Sequence, residues 1–149
     1  MNKNMSDNID LIIKNGSCYI EGKLKKTDIG ISGSKIKKIG KIELNSSRVY
    51  DATDKLILPG IIDTQVHFRE PGSTDAEDLE SGSRAAILGG VTSLFEMPNT
   101  NPPTATLEEF EKKLRAAKDR MHSNYAFYFG ATPNNTNQLA HLKNVEGCC

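Results

Sequence analysis

The 149-residue sequence predicts an α/β fold in two parts. A small β-rich domain covers residues 1–58, and the first three βα units of a (β/α)8 TIM-type barrel follow over residues 59–149. Three observations predict this. Up to residue 58 the chain is a succession of short strand-like segments separated by turn signals, with no helical periodicity of useful length. Pro59-Gly60 breaks that character. Beyond it, strand-like runs alternate with amphipathic stretches, the pattern of a parallel sheet with crossover helices.

In the first part, Asp10–Lys14 leads into Asn15-Gly16, a strong hairpin turn signal, and Ser17–Ile20 into a second turn at Glu21-Gly22. Thr27–Ile31 alternates polar and apolar residues, and Ser32-Gly33-Ser34 turns the chain into Lys35–Ile39. Val49–Asp51 and Leu56–Leu58 complete a mostly antiparallel sheet unit. In the second part the strands are Ile61–Phe68, Val91–Met97 and Tyr125–Ala131. Thr74-Asp-Ala-Glu77 has the form of a capping box opening a helix that runs to Leu88 and stops at Gly89-Gly90. Thr106-Leu-Glu-Glu109 is another, followed by the apolar stripe Leu107, Phe110, Leu114, Ala117 and Met121. A shorter helix is expected over Asn134–Asn144. A barrel needs eight such units in about 250 residues. The chain is therefore expected to be a fragment, with a fourth strand due at Gly147-Cys148-Cys149 and an open edge on the third.

Composition excludes several classes of function. Hydrophobic residues make up 37% and charged residues 26%, which suits a soluble globular protein rather than a disordered one. Lys+Arg and Asp+Glu both number 19, so net charge gives no case for nucleic acid or an acidic membrane surface as partner. Apolar runs such as Leu56-Ile57-Leu58 are far too short to span a bilayer. The stretch Met1–Asp10 is polar and lacks the apolar core of a signal peptide. Cys18, Cys148 and Cys149 form neither a disulfide framework nor a CxxC pair. They are expected to be buried or unreactive thiols in a reducing, cytoplasmic setting.

The chemistry concentrates at two strand ends. Along Asp63-Thr-Gln-Val-His67-Phe-Arg69, alternation puts Asp63, Gln65 and His67 on one face of the first strand, with Arg69 at the same parity. In a βα barrel the C-terminal ends of the strands carry the active site. His67 could ligate a metal through a neutral imidazole nitrogen, or be a hydrogen-bonded core histidine. Arg69 suits a substrate carboxylate, because its planar fork matches two oxygens at once; the alternative is a surface salt bridge with Glu70. Pro98 ends the second strand and places Asn99 on a βα loop at the same rim, where its amide could serve a ligand or an Asx-turn. His122 and His141 read as surface residues.

Leu58-Pro-Gly-Ile-Ile-Asp63, His67-Phe-Arg-Glu-Pro-Gly72 and Met97-Pro-Asn-Thr-Asn-Pro-Pro103 together resemble the class I dihydroorotases of the amidohydrolase superfamily. The segment from Asp28 to Gly40 resembles that superfamily's small β-sandwich domain. The resemblance implies a zinc-dependent hydrolase interconverting N-carbamoyl-L-aspartate and L-dihydroorotate in pyrimidine synthesis. It makes His67 a metal ligand near the substrate, and Arg69 and Asn99 the grip on the substrate carboxylate. The catalytic aspartate and the remaining ligands are expected beyond Cys149, so the 149-residue chain alone is expected to be inactive. The departure is Gln65, which stands where the family has a second histidine. A neutral amide is a weaker zinc ligand than imidazole, so one zinc or two remains open. Two other readings stand beside this one: a related cyclic amidase of hydantoinase or allantoinase type, and a silent subunit supporting aspartate transcarbamoylase. Expected partners are a carboxylate-bearing small molecule, and either copies of the chain or aspartate transcarbamoylase.

Overall fold

A computed structural model describes residues 9–43, 46 and 48–149. The chain divides into two compact units, Met1–Pro59 and Gly60–Cys149. Most of the polar N-terminal stretch, Met1–Asn8, lies outside the described residues.

In the first unit, β1 (Leu11–Ile20), β2 (Lys23–Ser32), β3 (Lys35–Ile39), β4 (Val49–Asp51) and β5 (Leu56–Ile57) form a five-stranded sheet. Its order is β3-β2-β1-β4, with β5 also paired to β1. The sheet is mixed rather than mostly antiparallel, because β4 and β5 both run parallel to β1. Asn15-Gly16 does not make a hairpin. It is a bulge inside β1: Ile13 pairs with Ile29 and Gly16 with Thr27, so Lys14 and Asn15 together face Asp28. Asn15 adopts the left-handed conformation (φ 64°) that asparagine tolerates. The Asp28 carboxylate takes the Asn15 N–H at 3.1 Å, so the extra residue is satisfied and the strand continues. The hairpin forms instead at Glu21-Gly22, both at positive φ, as a two-residue primed turn requires. Ile9, Ile12 and Ile42 form the buried apolar cluster of this unit.

In the second unit, β6 (Ile61–Val66), β7 (Val91–Glu96) and β8 (Asn124–Phe127) make a parallel sheet in sequence order. Helix α1 (Leu79–Leu88) connects β6 to β7, and α2 (Leu107–Ala117) connects β7 to β8. The core comprises Phe68, Leu79, Leu94, Phe110, Ala117 and Phe127, with Leu114 and Met121 packed against it. Four members of the expected α2 stripe thus face the core, while Leu107 stays partly exposed. The Thr106 side chain caps α2 by accepting the Glu109 N–H at 3.2 Å.

Helix α1 starts later than the Thr74–Glu77 pattern suggests. Residues from Ser73 to Glu77 are folded back in turns onto the Ser73 carbonyl, and Asp78 is the N-cap. Its carboxylate takes the Ser81 N–H at 2.7 Å while the Ser81 hydroxyl takes the Asp78 N–H at 3.1 Å, a reciprocal box. Three other boundaries also differ. β6 leaves the ladder after Val66, two residues short of Phe68. β8 ends at Phe127 because Gly130 donates to the Thr104 carbonyl instead of a strand. The last helix is a 3-10 helix over Thr136–Asn144. Phe127 also forms an isolated parallel bridge with Cys148. Cys18, Cys148 and Cys149 are all free thiols; Cys18 is buried and Cys148 partly so, whereas Cys149 is exposed rather than buried, and partial desolvation pushes its thiol up to about 11. Among the described residues no helix is long and apolar enough to cross a membrane.

One glycine fixes how closely α1 sits on the strand end. A Cβ at Gly82 would lie 2.6 Å from the Phe68 ring. Gly→Ala inside a helix ordinarily stabilises by up to about 1 kcal/mol. Overpacking a core ring reverses the sign, so Gly82→Ala is expected to destabilise by about 1–3 kcal/mol, as read from the urea midpoint at constant slope.

Candidate active site

The site lies where β6 and β7 end. Phe68 turns into the core, and the residues on either side of it, His67 and Arg69, are exposed. Parity alone does not assign the strand residues to a face. The ladder slips between Asp63 and Val66, and the Asp63 carboxylate accepts the Gln65 N–H at 3.0 Å. Asp63 therefore cannot be placed beside Gln65 and His67 by counting. Both Asp63 and Gln65 are exposed.

The structure brings His67 and Asn99 together, with His67 Nδ1 2.8 Å from Asn99 Oδ1. An amide oxygen only accepts, so Nδ1 carries the hydrogen and donates. Two consequences follow. In the neutral imidazole Nε2 then keeps its lone pair, and neither Nε2 nor the Asn99 NH2 has a hydrogen-bond partner among the described residues. The Arg69 guanidinium likewise has no hydrogen bond or ion pair among the described residues; only its backbone carbonyl is engaged, by the Ser73 N–H at 2.8 Å. The Arg69–Glu70 salt bridge does not form, because Glu70 belongs to Arg120. The Arg120 guanidinium grips both Glu70 oxygens at 2.8 and 2.9 Å, and Glu70 Oε2 also accepts the Leu79 N–H at 2.9 Å. Those contacts, the Arg120 hydrogen bonds first, hold the Glu70 carboxyl below its usual range.

The two rim loops are tied backbone to backbone. Met97 N–H donates to the Val66 carbonyl at 2.8 Å, and Asn101 N–H to Pro71 at 3.1 Å. Gly72 (φ 123°) sits so close to Asn101 that a Cβ there would meet its carbonyl oxygen at 2.9 Å. From the third unit, the Tyr128 hydroxyl donates to the Thr64 carbonyl at 3.2 Å, and its ring meets Phe95 edge-on at 6.2 Å. A cavity of about 320 Å³ lined by Glu70, Leu79, Pro102, Lys113 and Ala116 does not include His67, Arg69 or Asn99.

Three features escaped the sequence reading. Tyr128 is one and the Arg120–Glu70 pair is another. The third is a fully buried ion pair, Lys113 Nζ to Glu96 Oε2 at 2.7 Å. Its signal was present: Lys113 stands at i+3 of the stripe that runs through Phe110, Leu114 and Ala117, and Glu96 has the parity of buried Leu94. Burial pushes the Glu96 carboxyl up to about 7 against the pull of Lys113, and burial pushes the Lys113 ammonium down. Glu96 Oε1 is buried without a hydrogen-bond partner among the described residues. The two remaining histidines are exposed, as expected; His122 Nε2 lies 2.9 Å from Glu80.

As for a metal, His67 fits one ligand position. Its Nδ1–H is held by an oxygen acceptor, the arrangement that orients a ligating imidazole and fixes its tautomer. Among the described residues no group of three His, Cys, Asp or Glu converges to complete a cage.

Known proteins resemble this chain in sequence and in fold. The sequence pattern of the Amidohydrolase family matches residues 56–146. An allantoinase of Salmonella choleraesuis (strain SC-B67) is 39% identical over 137 residues, covering 91% of this chain and 30% of that protein. A dihydroorotase of Lactobacillus helveticus (strain DPC 4571) is 43% identical over 109 residues, 73% of this chain and 25% of that protein. The L-hydantoinase (dihydropyrimidinase) of Arthrobacter aurescens superposes with a TM-score of 0.82 at 30% identity, over 90% of this chain and 30% of that one. The chain thus spans 25–30% of the length of these relatives, and its second unit is part of a (β/α)8 barrel. Family pattern, sequence relatives and fold agree: the chain belongs to the amidohydrolase family.

Proposed function

We propose that this chain supplies the first part of the active site of a dihydroorotase, a zinc-dependent cyclic amide hydrolase of the cytoplasm that interconverts N-carbamoyl-L-aspartate and L-dihydroorotate. The observation that carries the reading is the His67–Asn99 contact at 2.8 Å, two residues along the chain from Arg69, whose guanidinium has no partner among the described residues. His67 would offer Nε2 to the metal, with Gln65 as a weaker neighbouring donor. When bound, zinc supplies an activated water and polarises the ring amide. The residues of this chain do the rest of the work at the rim. Arg69 presents two parallel N–H groups to the substrate carboxylate, and the Asn99 NH2 donates to one of its oxygens. Because Asn99 is held by His67, substrate grip and ligand orientation share one hydrogen bond.

The identity shared with an allantoinase over 91% of the chain supports a second reading, in which allantoin is the substrate. A free carboxylate on dihydroorotate, absent from allantoin, makes the two distinguishable through Arg69. The complete protein should hydrolyse L-dihydroorotate in preference to allantoin and hydantoin, and chelation should abolish the turnover. Faster turnover of allantoin would replace the first reading by the second. Gln65→His is expected to raise zinc content per chain, read by metal analysis after dialysis; unchanged content would remove Gln65 from the ligand set.

A further inference from the structure

Behind the rim, on the helix side of β7, Lys113 and Glu96 are 1% and 0% exposed. Lys113 makes a second contact: Nζ donates to Thr100 Oγ1 at 3.2 Å. The Thr100 hydroxyl in turn donates to the Pro102 carbonyl at 2.9 Å, and Thr104 Oγ1 lies 3.5 Å from it. One ammonium therefore joins the last residue of β7 to the fourth residue beyond it, and Asn99 lies inside that bracket. The ammonium also stands 5.5 Å above the Phe127 ring, which pins it to the core of the third unit.

Stability alone is a poor reason for such a pair. A buried carboxylate and ammonium can often be replaced by apolar groups of the same volume at no loss. What an apolar pair cannot supply is the directed bond to Thr100. We infer that Lys113 is a positioning residue: by bonding Glu96 and Thr100 together it sets the path of the loop between them and so presents Asn99 to His67. The inference rests on the reading of His67 and Asn99 as site residues, and it concerns no group that touches substrate.

The test uses isotope-labelled 149-residue chain without metal or substrate, and reads the nuclear Overhauser contact between the Asn99 side-chain amide and the His67 ring, together with the melting temperature. Thr100→Val removes the hydroxyl and keeps the shape; the contact is expected to be lost while the chain stays folded. Thr100→Ser restores the hydroxyl and should restore the contact. The double variant Glu96→Gln/Lys113→Met removes both charges at similar volume and should also lose the contact. An intact contact in folded Thr100→Val, or in the folded double variant, would overturn the inference and leave Lys113 a structural residue. If the double variant does not fold, Thr100→Val against Thr100→Ser decides. Since no turnover is measured, failure here is separate from failure of the complete protein to hydrolyse dihydroorotate.

Discussion

Lys113→Ala should destabilise the second unit by about 3–5 kcal/mol, because it leaves the buried Glu96 carboxyl without its ionic and hydrogen-bonding partner and opens a cavity where the lysine stem was. Glu96 cannot relax outward: it is fully buried at the end of β7, and one of its oxygens already lacks a hydrogen-bond partner among the described residues. The variant should lose its cooperative transition at room temperature or melt far below the parent, as followed by circular dichroism. The double change with Glu96→Gln should recover most of the loss. Full additivity of the two single variants would show that the pair is not coupled. The pH dependence has a definite sign. The Glu96 carboxyl titrates near 7 in the folded chain against an ordinary 4.5. Between those values the folded state holds a proton that the unfolded state has released. Stability from this group is therefore full below about pH 4.5 and declines as pH rises through 7. Glu70 works in the opposite direction. Its lowered folded value gives stability that is present above 4.5 and lost as pH falls through the folded value. Urea midpoints should pass through a maximum between the two limbs, and Glu96→Gln should flatten the upper one only.

The second large effect concerns Arg69. In the complete enzyme Arg69→Ala is expected to lower kcat/KM for L-dihydroorotate by about 30–1000-fold, the equivalent of losing a charge-assisted carboxylate grip worth 2–4 kcal/mol. Arg69→Lys should recover only part, since a single ammonium does not reproduce the two parallel bonds of a guanidinium. The fold should be unaffected: the Arg69 side chain is exposed and bonded to nothing among the described residues, and the substitution keeps the backbone bond from Ser73, so the melting temperature should stay within a degree or two of the parent. A loss of turnover accompanied by unfolding would instead make Arg69 structural. A loss of less than threefold would remove it from the substrate site.

These expectations rest on features that were unevenly legible in the sequence. The start of α2 was readable because the capping bond from Thr106 reaches only to Glu109. The start of α1 was not, since Thr74-x-x-Glu77 and Asp78-x-x-Ser81 compete within five residues. The choice is made by Glu70, nine residues before Leu79, which takes the Leu79 N–H while held by Arg120 from beyond α2. Asn15-Gly16 misled for a related reason. Its left-handed residue serves a hairpin or a bulge equally well, and only the strand pairing with Asp28 decides. The motifs point to His67 and Asn99, but their contact joins residues 32 apart and depends on the ladder between β6 and β7. A lysine inside an apolar stripe reads as its solvated margin; only the position of Glu96 on the neighbouring strand makes Lys113 a core residue.

Phe68 ties the site together mechanically. It lies between the proposed ligand and the proposed carboxylate grip, and its ring is wedged against α1 at Gly82, where there is no room for a methyl group. Displacing that ring from its seat would shift the backbone that carries both His67 and Arg69. A change at Asn99 would leave that seat in place but release His67, because the two side chains share one hydrogen bond.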